Sequence, residues 1–254
     1  MTVELADMTV EIATLASRPD LASLLDGFDG AWPEFMRWDP MGALFYAVVE
    51  EVYPEHALVA FDPASPDRAV ACAFSVPVAW GDDPLPPGGW DRMIQRATLG
   101  RTLGTTPTMV SALEICVQPD LRGRGLSGVM LTAMRANAAR LGFDTLVAPV
   151  RPSGKHAFPE VPMEEYAARR RPDGLPEDPW LRTHVRAGGV IESVAPRSMV
   201  VSGTLDEWRG WTGLPFDVTG PVEVPGALAP VYCDVTHGHA VYVEANVWVR
   251  HRTG

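Results

Sequence analysis

A basic segment interrupted by glycines stands between an apolar run and a long helical pattern, and it is the part of the chain best suited to chemistry. The apolar run ends at Val117, after which Pro119 and Asp120 predict a turn. A strand, a glycine-rich turn and a helix in this order direct backbone N–H groups and the positive end of a helix dipole toward one point, which suits a phosphate group. The glycines let a ligand approach the backbone closely, and the arginines add charge and donors. The segment consists of Arg122, Gly123, Arg124, Gly125, Leu126 and Ser127.

A carboxylate lies inside the apolar run that leads into this turn. Burial among such neighbours would raise the pKa of Glu114 toward the range in which a carboxylate takes a proton from an amine. Strand alternation predicts that Glu114 points away from the face that Leu113 and Ile115 bury, although a bulge could re-aim it. Two interpretations stay open: a catalytic base, or a residue that faces solvent or positions water or substrate.

The spacing Arg122-x-x-Gly125-x-Ser127, preceded by Val117-x-Pro119, resembles the acyl-CoA-binding signature of the GCN5-related N-acetyltransferase (GNAT) superfamily. The resemblance implies that Cys116 and Val117 bind pantetheine at the strand end. It also implies that residues 122–127 hold the pyrophosphate and that Glu114 is the catalytic base. Ser127 departs from the signature, which has glycine or alanine there. The alternative is a solvated Arg-Gly turn before an unrelated helix.

The same resemblance draws attention to His184. Many GNAT chains carry a tyrosine about one turn before a glycine in a late helix, and that tyrosine protonates the leaving thiolate. Here the helical segment before Gly188 has no tyrosine, and His184 stands at or next to the equivalent position. Because imidazole exchanges protons near neutral pH, we predict His184 as a second catalytic residue; the alternative is a helix histidine satisfied by hydrogen bonds. Tyr166 is another possible proton donor.

Other polar clusters give weaker signals. His237 and His239 have no third ligand at metal-site spacing, so we predict no metal. The basic run at 169–171 is typical of a solvated helix face, but it could hold a CoA phosphate, an acidic acceptor or a tRNA. Five early aromatic residues are expected to form part of the core and part of the acceptor-site wall: Trp32, Phe35, Trp38, Trp80 and Trp90.

The composition describes a soluble globular chain. Its 254 residues carry a formal net charge of −11, which argues against a surface that grips nucleic acid as a whole. The three cysteines lie far apart in apolar surroundings, as expected for free thiols in the cytoplasm. No apolar run is long enough to span a bilayer, and the first residues lack the basic start of a signal peptide.

The pattern of elements predicts a mixed α/β protein with the GNAT fold. The central sheet should be mostly antiparallel, with one parallel strand–helix–strand crossover. We expect a single domain over residues 1–254, with insertions at about 79–107 and 151–179. A C-terminal strand extension should cover about 203–254. The run 190–201, the run 228–235 and the run 240–249 all read as late strands, and the sequence does not decide which of them complete the core sheet.

Three hypotheses about function follow. The first is an enzyme that transfers an acetyl or other acyl group from acyl-CoA to the amine of a specific small molecule. For this enzyme we expect no membrane partner, and the sequence does not decide whether it forms a homodimer. The second keeps the fold but takes the acyl group from an aminoacyl-tRNA or a carrier protein. The third is a catalytically degenerate module that binds CoA.

Overall fold

The computed structural model describes residues 1–5, 8–28 and 30–254. The described strands form one mixed sheet, in which β5 and β6 run parallel and the other pairs antiparallel. The predicted fold class is thus confirmed. The strands are β1 (Thr2–Leu5), β2 (Met8–Thr14), β3 (Ala57–Asp62), β4 (Ser65–Val78), β5 (Met109–Val117), β6 (Thr145–Val150), β7 (Val190–Thr204), β8 (Gly220–Val222), β9 (Val231–Asp234) and β10 (His239–Arg252).

Helices cover both faces of this sheet. The α-helices are α1 (Pro40–Tyr46), α2 (Val49–Val52), α3 (Gly89–Leu103), α4 (Leu126–Arg140), α5 (Met163–Ala168), α6 (Pro179–Arg186) and α7 (Leu205–Thr212). One 3₁₀ helix spans Pro19–Gly27, and another spans Glu34–Trp38. No helix in the described part of the chain is long and apolar enough to cross a membrane.

The two faces of the sheet bury separate apolar cores. On one face, which we call the α1–α3 face, the buried side chains include Phe35, Trp90 and Trp208. On the other, the α4 face, they include Met130 of α4 and Leu181 of α6. A strand residue therefore reaches either the α1–α3 side or the α4 side according to its position in the pleat, because successive side chains point to opposite faces.

The core sheet is completed by β7 and β10. The long β10 pairs with β7 along one edge, and along the other edge with β9 near its start and β6 near its end. Pro196 lies where three residues of β7 face a single residue of β10, and such a bulge tolerates a missing N–H donor. The C-terminal region thus extends the sheet through β8 and β9, while its last strand enters the centre.

Candidate active site

The candidate active site lies where β5 and β6 separate. The two strands pair only through Val110 with Leu146 and Ser111 with Val147 within the described part of the chain. Beyond Ser111, β5 continues to Val117 along β4, while its other edge pairs with no strand among the described residues. An unpaired strand edge offers N–H and C=O groups to an extended ligand, which would add to the sheet like another strand.

A bulge in β5 turns Glu114 toward the α1–α3 face. Phe74 faces Glu114 and Ser75 faces Ala112, so Leu113 is the extra residue. After the bulge Ile115 packs on the α4 face, whereas Leu113 packs against the core of the α1–α3 face. The expectation that Leu113 and Ile115 share one face is therefore wrong, because the extra residue reverses the alternation between them.

Two aromatic side chains hold the carboxylate of Glu114. The indole N–H of Trp32 donates to Oε1 at 2.7 Å, and the hydroxyl of Tyr46 donates to Oε2. Burial raises the pKa of Glu114, and the hydrogen bonds from Tyr46 and Trp32 oppose that rise. Glu114 is half-buried, and Trp32 and Tyr46 are exposed, so the carboxylate lies close to the protein surface. A half-buried carboxylate with a raised pKa is suited to accept a proton from an ammonium group.

The glycine-rich turn lies at the end of β5 and leads directly into α4. Gly123 and Gly125 have φ angles of 83° and 85°, the left-handed region that glycine adopts without strain. A Cβ atom on either residue would meet no atom within 4 Å, so the space outside the turn is open. Gly125 is the N-cap of α4 and gives no side-chain cap, which leaves the first-turn N–H groups to another acceptor.

The eight predicted donor-binding residues therefore lie at one end of the β5–β6 opening. The thiol of Cys116 is buried against Cys72 of β4, so Cys116 can offer a ligand only its backbone. Arg122 donates to the carbonyl oxygen of Ala31 at 3.2 Å, which ties the turn to the segment that carries Trp32. Leu126 is buried beneath the turn, and Ser127 is half-buried in the first turn of α4.

The structure places His184 apart from Glu114, on the α4 face of the sheet. Its side chain is buried, and its Nδ1 lies 2.9 Å from Nε2 of His251 on β10. Burial, followed by the neighbouring His251, lowers the pKa of His184 to about 3. Its imidazole is therefore neutral at pH 7 and lacks the second, acidic proton that an imidazolium would give to a thiolate, so this environment does not favour the acid role. Tyr166 donates its hydroxyl to Asp178, the N-cap residue of α6.

A second buried carboxylate lies on the α1–α3 face and was missed from the sequence. Glu244 of β10 is fully buried and accepts hydrogen bonds from Arg151 at 2.9 Å, Tyr242 at 2.7 Å and Asn246 at 2.9 Å. The guanidinium of Arg151 also lies 5.9 Å from the ring centre of Trp32. Trp32 thus connects Glu114 on β5 to this network across the opening. The sequence does contain a signal for this residue, because Glu244 is a charged residue within the apolar run 240–249.

Comparison with known proteins finds relatives of the whole chain and of its fold. No family model matches the chain. The chain is 33% identical to the arginine N-acetyltransferase avaD of Aspergillus versicolor, over 94% of this chain and 93% of that protein. Solved structures with the same fold include the loading GNATL domain of CurA from Lyngbya majuscula, with a TM-score of 0.58 at 18% identity over 96% of this chain and 98% of that one. The GphF GNAT-like decarboxylase in complex with isobutyryl-CoA gives a TM-score of 0.53 at 17% identity, over 96% and 99% of the two chains.

The fold is that of the solved GNAT-like structures, and the opening between β5 and β6 is where we look for the donor site. The similarity to an N-acetyltransferase over nearly the whole chain identifies the family: the chain belongs to the GNAT superfamily. It is an N-acyltransferase that acts on an amine. The hypothesis of a non-catalytic module is thereby set aside.

Proposed function

We propose that this chain transfers an acetyl group from acetyl-CoA to the α-amine of arginine or of a closely related amine that bears a guanidinium group. The observation that carries the proposal is Glu114, whose half-buried carboxylate stands beside the unpaired edge of β5, next to the glycine-rich turn. The name of the 33% identical relative, an arginine N-acetyltransferase, supports the choice of acceptor. The guanidinium group stays protonated and is not a nucleophile, so the α-amine is the group acetylated.

The donor-binding roles follow from the turn and the strand edge. Backbone groups at Cys116 and Val117 would hold the pantetheine arm. The N–H groups of residues 123–127 would hold the pyrophosphate, with Arg122 and Arg124 adding positive charge. These contacts fix the thioester carbonyl beside Glu114, and such positioning supplies much of the rate enhancement.

Glu114 would remove one proton from the acceptor's ammonium group. The free amine then attacks the thioester carbon, the C–S bond breaks, and a second proton leaves the nitrogen and ends on the CoA thiolate. Glu114 returns its proton to water, so one amide, one thiol and one released proton result. The raised pKa of Glu114 supports this role, because a stronger base shares the proton more evenly with an amine.

A donor other than CoA has less support. In the basic run 169–171, the guanidinium of Arg169 lies 3.5 Å from Glu165 and that of Arg171 lies 3.4 Å from Asp173. Two of the three charges are thus partly offset by neighbouring carboxylates. A carrier-protein or tRNA donor therefore stays the second hypothesis. It would be favoured if the protein transferred an acyl group from such a donor but not from free acetyl-CoA.

The test is turnover by the purified protein. Release of free CoA from acetyl-CoA would be followed with a thiol reagent, with arginine, agmatine, ornithine and lysine as acceptors, and the products would be located by mass spectrometry. We expect α-N-acetylation of arginine that depends on the acceptor. If the protein binds acetyl-CoA by calorimetry but releases no CoA with either guanidinium-bearing amine, the proposed function is wrong.

Three further properties of the chain are also proposals. A single domain over residues 1–254 is supported by the one sheet that contains all the described strands. A cytoplasmic location is supported by three buried free thiols. The formation of a homodimer is best tested by light scattering on the purified protein.

A further inference from the structure

Two carboxylates on the α1–α3 face each keep one oxygen atom without a hydrogen-bond partner. Asp39 is 1% exposed, and its Oδ1 accepts from the N–H groups of Met41 and Gly42 at 2.7 and 3.0 Å. Asp91 uses Oδ2 to accept from the N–H of Val200 at 3.1 Å. Oδ2 of Asp39 and Oδ1 of Asp91 are buried and have no partner among the described residues. A buried carboxylate oxygen without a partner costs free energy, so this arrangement needs an explanation.

The surroundings of the pair lack a compensating positive charge. In the described part of the chain no lysine or arginine forms an ion pair with Asp39 or Asp91, and the nearby guanidinium of Arg151 is paired with Glu244. Burial, together with the charges of Asp39 and Glu244, raises the pKa of Asp91 to about 8. Burial likewise raises the pKa of Asp39, although its two backbone hydrogen bonds oppose the rise. A cation bound between Asp39 and Asp91 would therefore stabilise their charged forms.

The same helices connect this pair to Glu114. Asp39 caps α1 and Tyr46 ends it, two helical turns or about 10 Å away along the axis. Tyr46 donates to Glu114, so α1 carries a carboxylate at one end and a contact to the proposed base at the other. A Cβ on Gly42 would meet the ring of Trp90, the residue before Asp91, at 3.7 Å. An extended arginine, with hydrogen bonds of about 3 Å at each end, covers such a span.

We propose that Asp39 and Asp91 bind the distal cation of the acceptor, which in arginine is the guanidinium group. This inference rests on the proposed function. A guanidinium has five N–H donors in a rigid plane, and it forms paired hydrogen bonds with carboxylates. It would satisfy both orphaned oxygens at once and bring the missing charge, while the α-amine at the other end of the molecule reaches Glu114. The pair would thus set the preference for cationic acceptors.

The test compares arginine with citrulline, in which a neutral urea group replaces the guanidinium. Asp39→Asn and Asp91→Asn are suitable variants, because the remaining amide oxygen can still accept the backbone N–H groups that the carboxylate holds now. Asp82→Asn, at an exposed position, is the matched control for loss of one charge. Thermal melting would confirm that each variant is folded.

We expect either variant to lower kcat/KM for arginine by ~10- to 100-fold, mainly through KM, as removal of a charged hydrogen bond does. The KM for acetyl-CoA and the rate with citrulline should change little, so the preference for arginine collapses, whereas Asp82→Asn keeps it. Variants that fold and keep the wild-type ratio of arginine to citrulline would overturn the assignment of the two carboxylates alone. A wild-type protein that binds acetyl-CoA but acetylates no guanidinium-bearing amine overturns the proposed function and this inference with it.

Discussion

The indole N–H of Trp90 donates to the carbonyl oxygen of Leu113 at 2.9 Å, and Leu113 is the residue that bulges out of β5. A bulged residue leaves backbone groups without ladder partners, and Trp90 satisfies one of them from α3. The orientation of Glu114 depends on this bulge, because Glu114 is the next residue. A helix on the α1–α3 face thus helps to aim the proposed base on the strand.

Removal of that hydrogen bond should loosen the bulge. In Trp90→Phe the carbonyl oxygen of Leu113 loses its donor while an aromatic ring still fills most of the space. We expect a loss of about 1–3 kcal/mol in the free energy of unfolding, measured by urea denaturation. We also expect kcat to fall more than the affinity for acetyl-CoA does. A stable variant with unchanged kcat would show that the bulge does not need Trp90.

Glu114→Gln tests the proposed base directly. The amide keeps the size of the side chain and one oxygen acceptor for Trp32 or Tyr46, but it cannot take a proton. Loss of a general base lowers kcat by ~10²- to 10⁴-fold, and we expect acetyl-CoA to bind as before by calorimetry. In the wild type, Glu114 must be deprotonated to act. The acid limb of the pH–rate profile should therefore lie above the ordinary glutamate range, since the pKa of Glu114 is raised.

Gly125→Ala tests the donor turn. Alanine is strained by ~1–2 kcal/mol at the φ of 85° that Gly125 adopts, and its methyl group would occupy the open space outside the turn. We expect KM for acetyl-CoA to rise ~10-fold or more, with little change in KM for arginine at saturating donor. The matched control is Gly210→Ala in α7, where φ is not positive and a Cβ would meet no atom within 4 Å. That control should leave kinetics unchanged and stabilise the helix by ~0.5–1 kcal/mol.

Some residues of the candidate site could be predicted from the sequence, and others could not. Glu114 and the glycine-rich turn were found because a charge in an apolar strand and a strand–turn–helix order are local signals. Glu244 gives the same signal, but its strand could not be assigned to the core sheet without the long-range pairing of β10 with β6 and β7. Asp39 and Asp91 stand near the starts of helices, where aspartate is common. Their unpartnered oxygens depend on tertiary packing and leave no trace in the sequence.

The predicted role of His184 shows a further limit. Its place before a late glycine could be read from the sequence, but its contact with His251 of β10, 67 residues further along the chain, could not. The spacing therefore identified His184 as a candidate, but it could not predict which side chains surround it. The role of His184 as an acid stays a prediction, and the pairing with His251 favours a structural role instead.

His184→Gln separates the two roles. A structural role predicts a lower melting temperature with kcat at pH 7 changed by only a few-fold, whereas a folded variant that loses kcat more than ~10-fold would restore His184 as the proton donor.

The free energy of unfolding, measured as a function of pH, provides a second test of the role of His184. The pKa values of His184 and His251 fall to about 3 and about 4, below their ordinary value of 6.5. The unfolded chain therefore binds protons first, so the contribution of these two histidines to stability is fully present above pH 6.5 and is lost as the pH falls toward 3, and the variant should flatten that decline.

Arginine binding should expel a proton from Asp91. With a pKa of about 8, Asp91 is mostly protonated at pH 7 in the free protein, under the influence of Asp39 and Glu244. A bound guanidinium favours the charged carboxylate and lowers that pKa, so binding releases a proton at pH 7 and tightens as the pH rises toward 9. Calorimetry in buffers of different ionisation enthalpy measures the release. We expect up to one proton from the wild type and from Glu114→Gln, and none from Asp91→Asn. Equal release from all three proteins would mean that the proton comes from another group and that Asp91 does not meet the cation.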